Sequence, residues 1–382
     1  MSLMILCGLL PALLAAPPSG GPGRGITAED LYRLAEIRDA RISPDGSKVL
    51  LTLVRAVRDR NAYDADLYLV PSAGGEAQRL TTSDAMDESG RWSPDGRTIA
   101  FTSDRSGTSQ VCLIPVAGGE ARARTNRPLG ARDAAFSPDG SRIAFLGKVP
   151  PEGKARGGRD PGTKGEGGAG IEKDAEDREF AGDVQVIDRM VHRRETQPLD
   201  GSRTHLFVVP VADGEPVQVT VGDFDVREFA WSPTGASLAF VANRNGDPDL
   251  DQNDDVWVVS VEGGGEPLRL TLNDGPDRSP AWSPDGKWIA YVGTEAIDDL
   301  KAEEDLWVVP ADGGKAVNLT ASFANDPESP VFSPNGGSIL FRAAVRGNVH
   351  VFTVPREGGE VEQRIGGDRA ISDLSVSRDG NT

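Results

Sequence analysis

The chain has few of the residues from which most catalytic and metal-binding sites are built. Its 382 residues hold two cysteines and three histidines, His192, His205 and His350. One cysteine, Cys7, lies in an apolar N-terminal stretch, so removal of that stretch would leave Cys112 with no intrachain disulfide partner. Cys112 sits in an apolar strand pattern and is expected to be a small core residue. There is no C-x-x-C, no H-E-x-x-H, no phosphate-binding loop and no G-x-S-x-G. The sequence therefore predicts no metal and no cofactor, and it offers no catalytic residue. His205 opens a strand pattern and His350 lies inside another. Neither has a recognisable catalytic partner nearby, and both are expected to be structural.

Positive charge is scarce as well. Lys and Arg number 41 against 59 Asp and Glu, a net charge of −18, which argues against nucleic acid and against anionic membrane surfaces. The apolar run from Leu3 to Ala16 falls short of the roughly 20 residues that span a bilayer. Residues 1–16 read instead as a signal peptide, although no Lys or Arg precedes the run and Pro17 follows it. The expected location is periplasmic or secreted, or cytoplasmic if that segment is not a working signal.

Glycine (46) and proline (27) are plentiful, and they are placed in order. The turn SPDG occurs at 43–46, 93–96, 137–140 and 283–286, with SPTG at 232–235, SPNG at 333–336 and SRDG at 377–380. In such a turn Pro presets φ, Asp bonds nearby backbone and Gly takes the positive φ that returns the chain. The first serines are separated by 50, 44, 95, 51, 50 and 44 residues. Each of the first six turns is followed by a second motif, such as LYLVPSAGGEAQRLT (67–81) or LWVVPADGGKAVNLT (306–320). That motif reads as an apolar strand, a Gly-rich turn and a more polar strand ending near Thr. The two motifs together give four strands, A to D, per unit of about 40–50 residues, the mark of a β-propeller. The fold class is all-β: six complete four-stranded blades plus the start of a seventh, with one short N-terminal helix. The helix is expected over TAEDLYRLAEI (27–37), where Thr27 and Asp30 suit a capping box. Residues 17–37 are then linker and helix, and 38–382 the propeller.

One interval is irregular. The 95-residue gap places an insertion, 149–203, at the B–C connection of blade three. Its first half is rich in Gly and charge and reads as disordered. In its second half DVQVIDRMV alternates like a strand, followed by a basic cluster of Arg189, His192, Arg193 and Arg194. The cluster reads either as a docking surface for a carboxylate or an acidic neighbouring domain, or as ion pairs to surrounding acids. The stretch NGDPDLDQNDD (245–255) alternates Asp249, Asp251, Asn253 and Asp255 as a calcium loop begins. However, it has Asp254 where such a loop needs Gly and Ser260 where it needs Glu, so it reads as a solvated loop. Strand direction puts the SPDG and GGE turns on one face of the disc, and the B–C and D–A connections on the other. The longer, variable loops are expected on that second face, which is the expected working face.

The WSPDG turns alternating with LWVVPADGG strands resemble the propeller repeats of the TolB-like group. The order AEDLYRLAEIRDARISPDG, then DVQVIDRMVHRRETQPLDGSRTHLFVVPVADGEP, then FVANRNGDPDLDQNDDVWVV resembles the N-terminal half of bacterial serine peptidases of the prolyl oligopeptidase family. The similarity is to the acylaminoacyl-peptidase or dipeptidyl-aminopeptidase kind. It implies a propeller that caps a C-terminal α/β-hydrolase domain and restricts access to small peptides. The sequence stops at SVSRDGNT, so that hydrolase is absent and no catalytic residue carries over. The expectation is the gating domain of an exported peptidase, from a truncated reading frame. The alternative is a stand-alone TolB-like binding propeller, although proteins of that type carry a separate α/β domain before the propeller. A self-contained enzyme using the central funnel is disfavoured by the few histidines.

Overall fold

The structure, a computed structural model, describes residues 27–151, 193–194, 197–198, 201–246, 253–263, 265–295, 303–377 and 380. Six four-stranded antiparallel sheets follow one another along the chain, each paired in the order A-B-C-D. Blade one comprises Ala35–Ile42, Lys48–Val57, Ala62–Pro71 and Gln78–Arg79. Blade two comprises Asp87–Trp92, Thr98–Ser103, Gln110–Pro115 and Arg122–Ala123. Blade three comprises Ala131–Phe136, Arg142–Val149, Arg203–Pro210 and Val217–Gln218. Blade four comprises Val226–Trp231, Ser237–Ala242, Asp255–Ser260 and Leu268–Arg269. Blade five comprises Asp277–Trp282, Trp288–Gly293, Asp305–Pro310 and Val317–Asn318. Blade six comprises Pro327–Phe332, Ser338–Val345, Asn348–Pro355 and Glu362–Ile365. The A strands of neighbouring blades touch one another, so A is the inner strand and D the outer.

Each turn forms as its residues dictate. At Ser283–Gly286, Gly286 N donates to Ser283 O at 2.9 Å, with Gly286 at φ 71°. Ser283 Oγ donates to Asp285 Oδ1 at 2.6 Å and accepts from Trp288 N at 2.9 Å. These turns also touch from blade to blade. A Cβ on Gly286 would lie 3.2 Å from Pro233 Cγ, and one on Gly336 3.4 Å from Pro284 Cδ. Tryptophan links the inner strands: the indole N–H groups of Trp92, Trp231 and Trp282 donate to Arg41 O, Ala135 O and Ala230 O of the preceding blade.

The threonine that ends the second motif is a lock. In blades one to five its hydroxyl accepts the N–H of an early C-strand residue: Thr81 from Leu67, Thr125 from Val111, Thr220 from Leu206, Thr271 from Val256 and Thr320 from Leu306. The same hydroxyl then donates to the side chain one residue earlier in that strand. In blade five this is Asp305 Oδ1 at 2.8 Å, and in blade two Gln110 Oε1 at 2.8 Å. A two-residue D strand is thereby tied down by side chains where backbone pairing alone is too short, and a short outer strand also leaves little free edge. Blade six has Ile365 at this position; there His350 Nε2 donates to Gly367 O at 3.0 Å.

The seventh position holds one strand's worth of chain. Arg342 donates to Ile371 O and Ser372 O, Ile42 N donates to Ser375 Oγ at 3.1 Å, and Gly380 N closes on Ser377 O at 2.9 Å. Residues 371–377 therefore lie between blades six and one in the manner of an inner strand, without sheet partners. Burial differs on the blade-six flank that faces them. In blades two to five the five B-strand residues after the first are all buried. In blade six Ile339, Phe341 and Ala343 pack against blade five, but Leu340 and Arg342, facing the seventh position, are only half-buried and Ala344 is exposed.

Three expectations are corrected or bounded. The helix covers only Ala28–Leu31, with Thr27 N donating to Asp30 Oδ2 at 2.8 Å, and strand A of blade one already begins at Ala35. Ala35, Ile37 and Ala40 pack on Leu51, Leu53, Tyr68 and Val70, and that burial overrides the helical spacing. The B–C connections are not uniformly long either. Blade six turns on Arg346 and Gly347 alone, both at positive φ, and blade one on Arg58–Asn61, so the long ones belong to blades three, four and five. Residues 1–26, the DVQVIDRMV stretch, Asp249 and Asp251 lie outside the described residues.

Two outcomes follow. Thr320→Val keeps the shape of the side chain but leaves Leu306 N buried without an acceptor, and chemical denaturation should register a loss of about 2 kcal/mol. Purified as these 382 residues, the chain should self-associate through the exposed flank of blade six, giving concentration-dependent sedimentation; a monodisperse, cooperatively melting monomer would contradict a seventh position.

Candidate functional site

The inner strands share a local distortion. Asp39, Ser89, Asp133, Ser279 and Ser329 each lie four residues before the turn serine, and each has φ between 51° and 56°. The A–B pairing slips at each of these points. Such a bulge leaves one residue unpaired and re-aims its neighbours. In blade five the freed Ser279 N donates to Glu228 Oε2 of blade four at 2.8 Å. In blade three Asp133 N donates to Thr102 Oγ1 of blade two at 3.3 Å. The bulges at Ser279 and Asp133 thus tie their inner strands to the preceding blade.

Charge gathers at the same level. The residues just before the five bulges are Arg38, Glu88, Arg132, Arg278 and Glu328, and in blade four the pairing slips at Arg227. Asp39 is paired with both Arg41 of its own blade and Arg91 of blade two. Arg278 is bonded to Glu304, which together with Glu228 and Glu328 raises the guanidinium pKa further above its ordinary value. Arg342 bonds Glu328 at 3.2 Å. Glu88 is half-buried, and burial pushes its carboxyl above the usual range; Arg38 opposes this, while Asp133, Asp104 and Asp39 add to it. Both cations and anions therefore stand at this level of the inner strands, with acid in excess around Glu88.

Apolar exposure is confined in the same way. Among the described residues the large exposed hydrophobics are Leu31, Tyr32, Leu34, Tyr63, Val221 and Leu272, together with Val217, Leu268 and Val317. The last three lie in outer D strands. The first six lie before strand A of blade one, at the start of a C strand, or just after a D strand, all on the long-loop face. Tyr63 is 67% and Leu272 75% exposed. Arg58 stacks over Tyr32, joining the helix to the tip of the blade-one hairpin. On the opposite face a groove of about 300 Å³ lies between the turns of blades one and two, walled by residues that include Asp45, Lys48, Trp92 and Asp95. Its acids serve the turns: hydrogen bonds from Ser43 and Ser47 hold Asp45 at about 2.

Of the basic cluster, Arg193 and Arg194 form a two-residue strand paired with Gln197–Pro198, separate from every blade, and Arg189 and His192 lie outside the described residues. His205 is buried, with Nε2 donating to Gly222 O at 3.1 Å and Nδ1 accepting from Thr220 at 3.2 Å; burial lowers its pKa. Asp255 is committed to Arg269 and Thr271, and Asn253 Nδ2 donates to Asn273 O. No group of three or more potential metal-binding side chains occurs among the described residues, and none of their helices is long and apolar enough to cross a membrane. Cys112 is a buried free thiol in the core.

Comparison with known proteins places this geometry. Residues 37–152 match the family described as the TolB beta propeller domain. The chain is 28% identical over 235 residues to the uncharacterized peptidase YuxL of Bacillus subtilis, covering 61% of this chain and 34% of that protein. It is 27% identical over 286 residues to dipeptidyl-peptidase 5 of Porphyromonas gingivalis, covering 74% and 41%. It therefore spans only about a third to two-fifths of the length of these curated relatives. Its fold is similar to that of the acylaminoacyl peptidase of Pyrococcus horikoshii, with a TM-score of 0.65 at 16% identity over 90% of this chain and 48% of the other. It is also similar to the β-propeller domain of the trilobed protease of Pyrococcus furiosus, with a TM-score of 0.56 at 13% identity over 87% and 86%.

Glu88→Gln tests the acidic wall. Because the folded pKa is raised, ionising Glu88 weakens the fold as pH climbs above the ordinary glutamate range. The stability advantage of the variant should therefore be near zero at about pH 4 and clear at about pH 7, as urea melts would register.

Proposed function

We propose that this propeller is the access-restricting domain of an exported serine peptidase that acts on small peptides. The long-loop face docks on an α/β-hydrolase domain, and the axial channel screens what reaches it. The observation that carries this reading is the one-sided distribution of exposed apolar residues. Leu31, Tyr32, Leu34 and Tyr63 gather at blade one on the long-loop face, where Val221 and Leu272 also lie, while the other exposed large hydrophobics among the described residues, Val217, Leu268 and Val317, lie on outer D strands at the rim. Exposed apolar groups gathered on one face favour a partner there. The peptidase names of the similar proteins point the same way. The domain itself breaks no bond; it supplies a rigid, narrow, charged approach. In this reading Arg189, His192, Arg193 and Arg194 dock acidic groups of the neighbouring domain or substrate, and residues 1–16 direct export. A second reading, a stand-alone TolB-like binding propeller in the periplasm, is favoured by the family match at residues 37–152.

The nucleotide sequence beyond codon 382 separates the two. An in-frame G-x-S-x-G region supports the peptidase, and a stop followed by an unrelated gene supports the binding module. In a full-length parent, Leu34→Asp combined with Tyr63→Asp should lower kcat/KM for a tripeptide about tenfold, equivalent to about 1.4 kcal/mol of lost transition-state stabilisation. Hydrolysis of a small chromogenic ester should change much less. Equal loss on both substrates would count against a docking role for this face.

A further inference from the structure

Blades two and five begin their inner strands with aspartate, and the two aspartates are served differently. Asp87 of blade two is fully buried and paired: Arg105 Nη2 bonds both its oxygens at 2.9 Å, and Ser83 Oγ donates to it at 2.8 Å. Asp277 of blade five is also fully buried. Asp87 pairs across the sheet with Ser103 and Asp277 with Gly293, so the place of Arg105 falls to Glu295 in blade five, and the place of Ser83 to Asn273. The counterion has been replaced by an acid. Asn273 Nδ2 donates to Asp277 Oδ1 at 3.1 Å, but Asp277 Oδ2 has no hydrogen-bond partner. Gly293 is needed here, because any Cβ would collide with the Asp277 carboxylate.

The surroundings deepen the deficit. From blade four, Asp255, Arg269 and Thr271 face Asp277 across the seam between blades, and the Thr271 hydroxyl donates to Asp255. Arg269 is already bonded to Asp255 at 2.8 Å. From blade five, Tyr291 is the neighbouring titratable group, its phenol held neutral by burial and by Asp277. Asp277 N also donates to Asp254 O of blade four at 2.7 Å. Two buried carboxylates thus share one guanidinium at an inter-blade seam on the long-loop face.

We propose that Asp277 is a proton-operated latch between blades four and five: protonated, it closes the seam, and ionised, it loosens the start of the inner strand and the adjoining channel wall. Burial raises this carboxyl to about 7; Asp255 adds to the rise, while Thr271, Asn273 and Arg269 oppose it. The sign follows directly. The folded state binds a proton that the unfolded state gives up near the ordinary aspartate range, so the contribution to stability is full below about pH 4 and is lost as pH rises toward about 7 and beyond. The latch does not depend on what passes through the channel.

Hydrogen exchange read by mass spectrometry tests it on the full chain. After correction for intrinsic rates, protection of peptides covering 270–280 and 288–295 should fall about tenfold between pH 6 and pH 8 in the wild type, with blades two and three as internal controls. Asp277→Asn should abolish that pH dependence. So should Glu295→Arg, which restores the blade-two arrangement. Infrared spectroscopy should show a protonated-carboxyl stretch at pH 6 that is missing from Asp277→Asn. A wild type with equal protection at both pH values overturns the proposal, as does a drop that survives in both variants. Protection at pH 8 restored by sodium or calcium, with Asp277 ionised, also overturns it, in favour of a cation site.

Discussion

Every blade has two apolar faces and can bury neither alone. That constraint organises the molecule. The hydrophobic clusters run between sheets: Leu50, Leu67 and Leu69 of blade one meet Ile99, Phe101 and Ile114 of blade two, and the pattern repeats around the disc. Radial packing puts A strands at the axis and D strands at the rim. The turns, tryptophans and threonines are secondary devices that hold this packing in register. The Trp indoles join neighbouring blades at the inner strand, and the Thr hydroxyls fasten the outer strand to the third. Neither would matter without the burial between sheets, at about 25 cal/mol for each Å² of apolar surface removed from water.

Much of this was legible in the chain before any coordinates. SPDG fixes a turn because each of its four residues has one local task, and four copies with three close variants in order imply blades. The lock was half legible: a Thr recurs at the end of the second motif, but its partner varies among Asp66, Gln110, His205, Asp255 and Asp305, so no fixed motif announces it. The helix was overextended because RLAEI has helical spacing, and spacing does not reveal that blade one offers Ile37 a better burial.

The site was less legible, for a physical reason. The bulges at Ser279 or Asp133 have no signature of their own, since neither residue needs positive φ until inner strands crowd the axis. Their alignment four residues before five of the turn serines is a signal visible only once the blades are superposed. Asp277 is similar: it resembles any strand aspartate until it is set beside Asp87 and the missing arginine is noticed. The basic cluster, by contrast, was conspicuous in sequence because charge runs are conspicuous, and the structure places its described members in a small separate hairpin.

The half-open flank of blade six gives the disc an unequal rim. Around five seams the load between neighbouring sheets is shared by interlocked apolar faces. At the sixth it falls on a few tethers, chiefly Arg342 to the carbonyls of 371 and 372 and the contact of Ile42 with Ser375. Among the described residues, this joint rests on hydrogen bonds where the other five rest on packed apolar faces. The joint with the least buried apolar surface among the described residues is therefore the one between the last blade and the first.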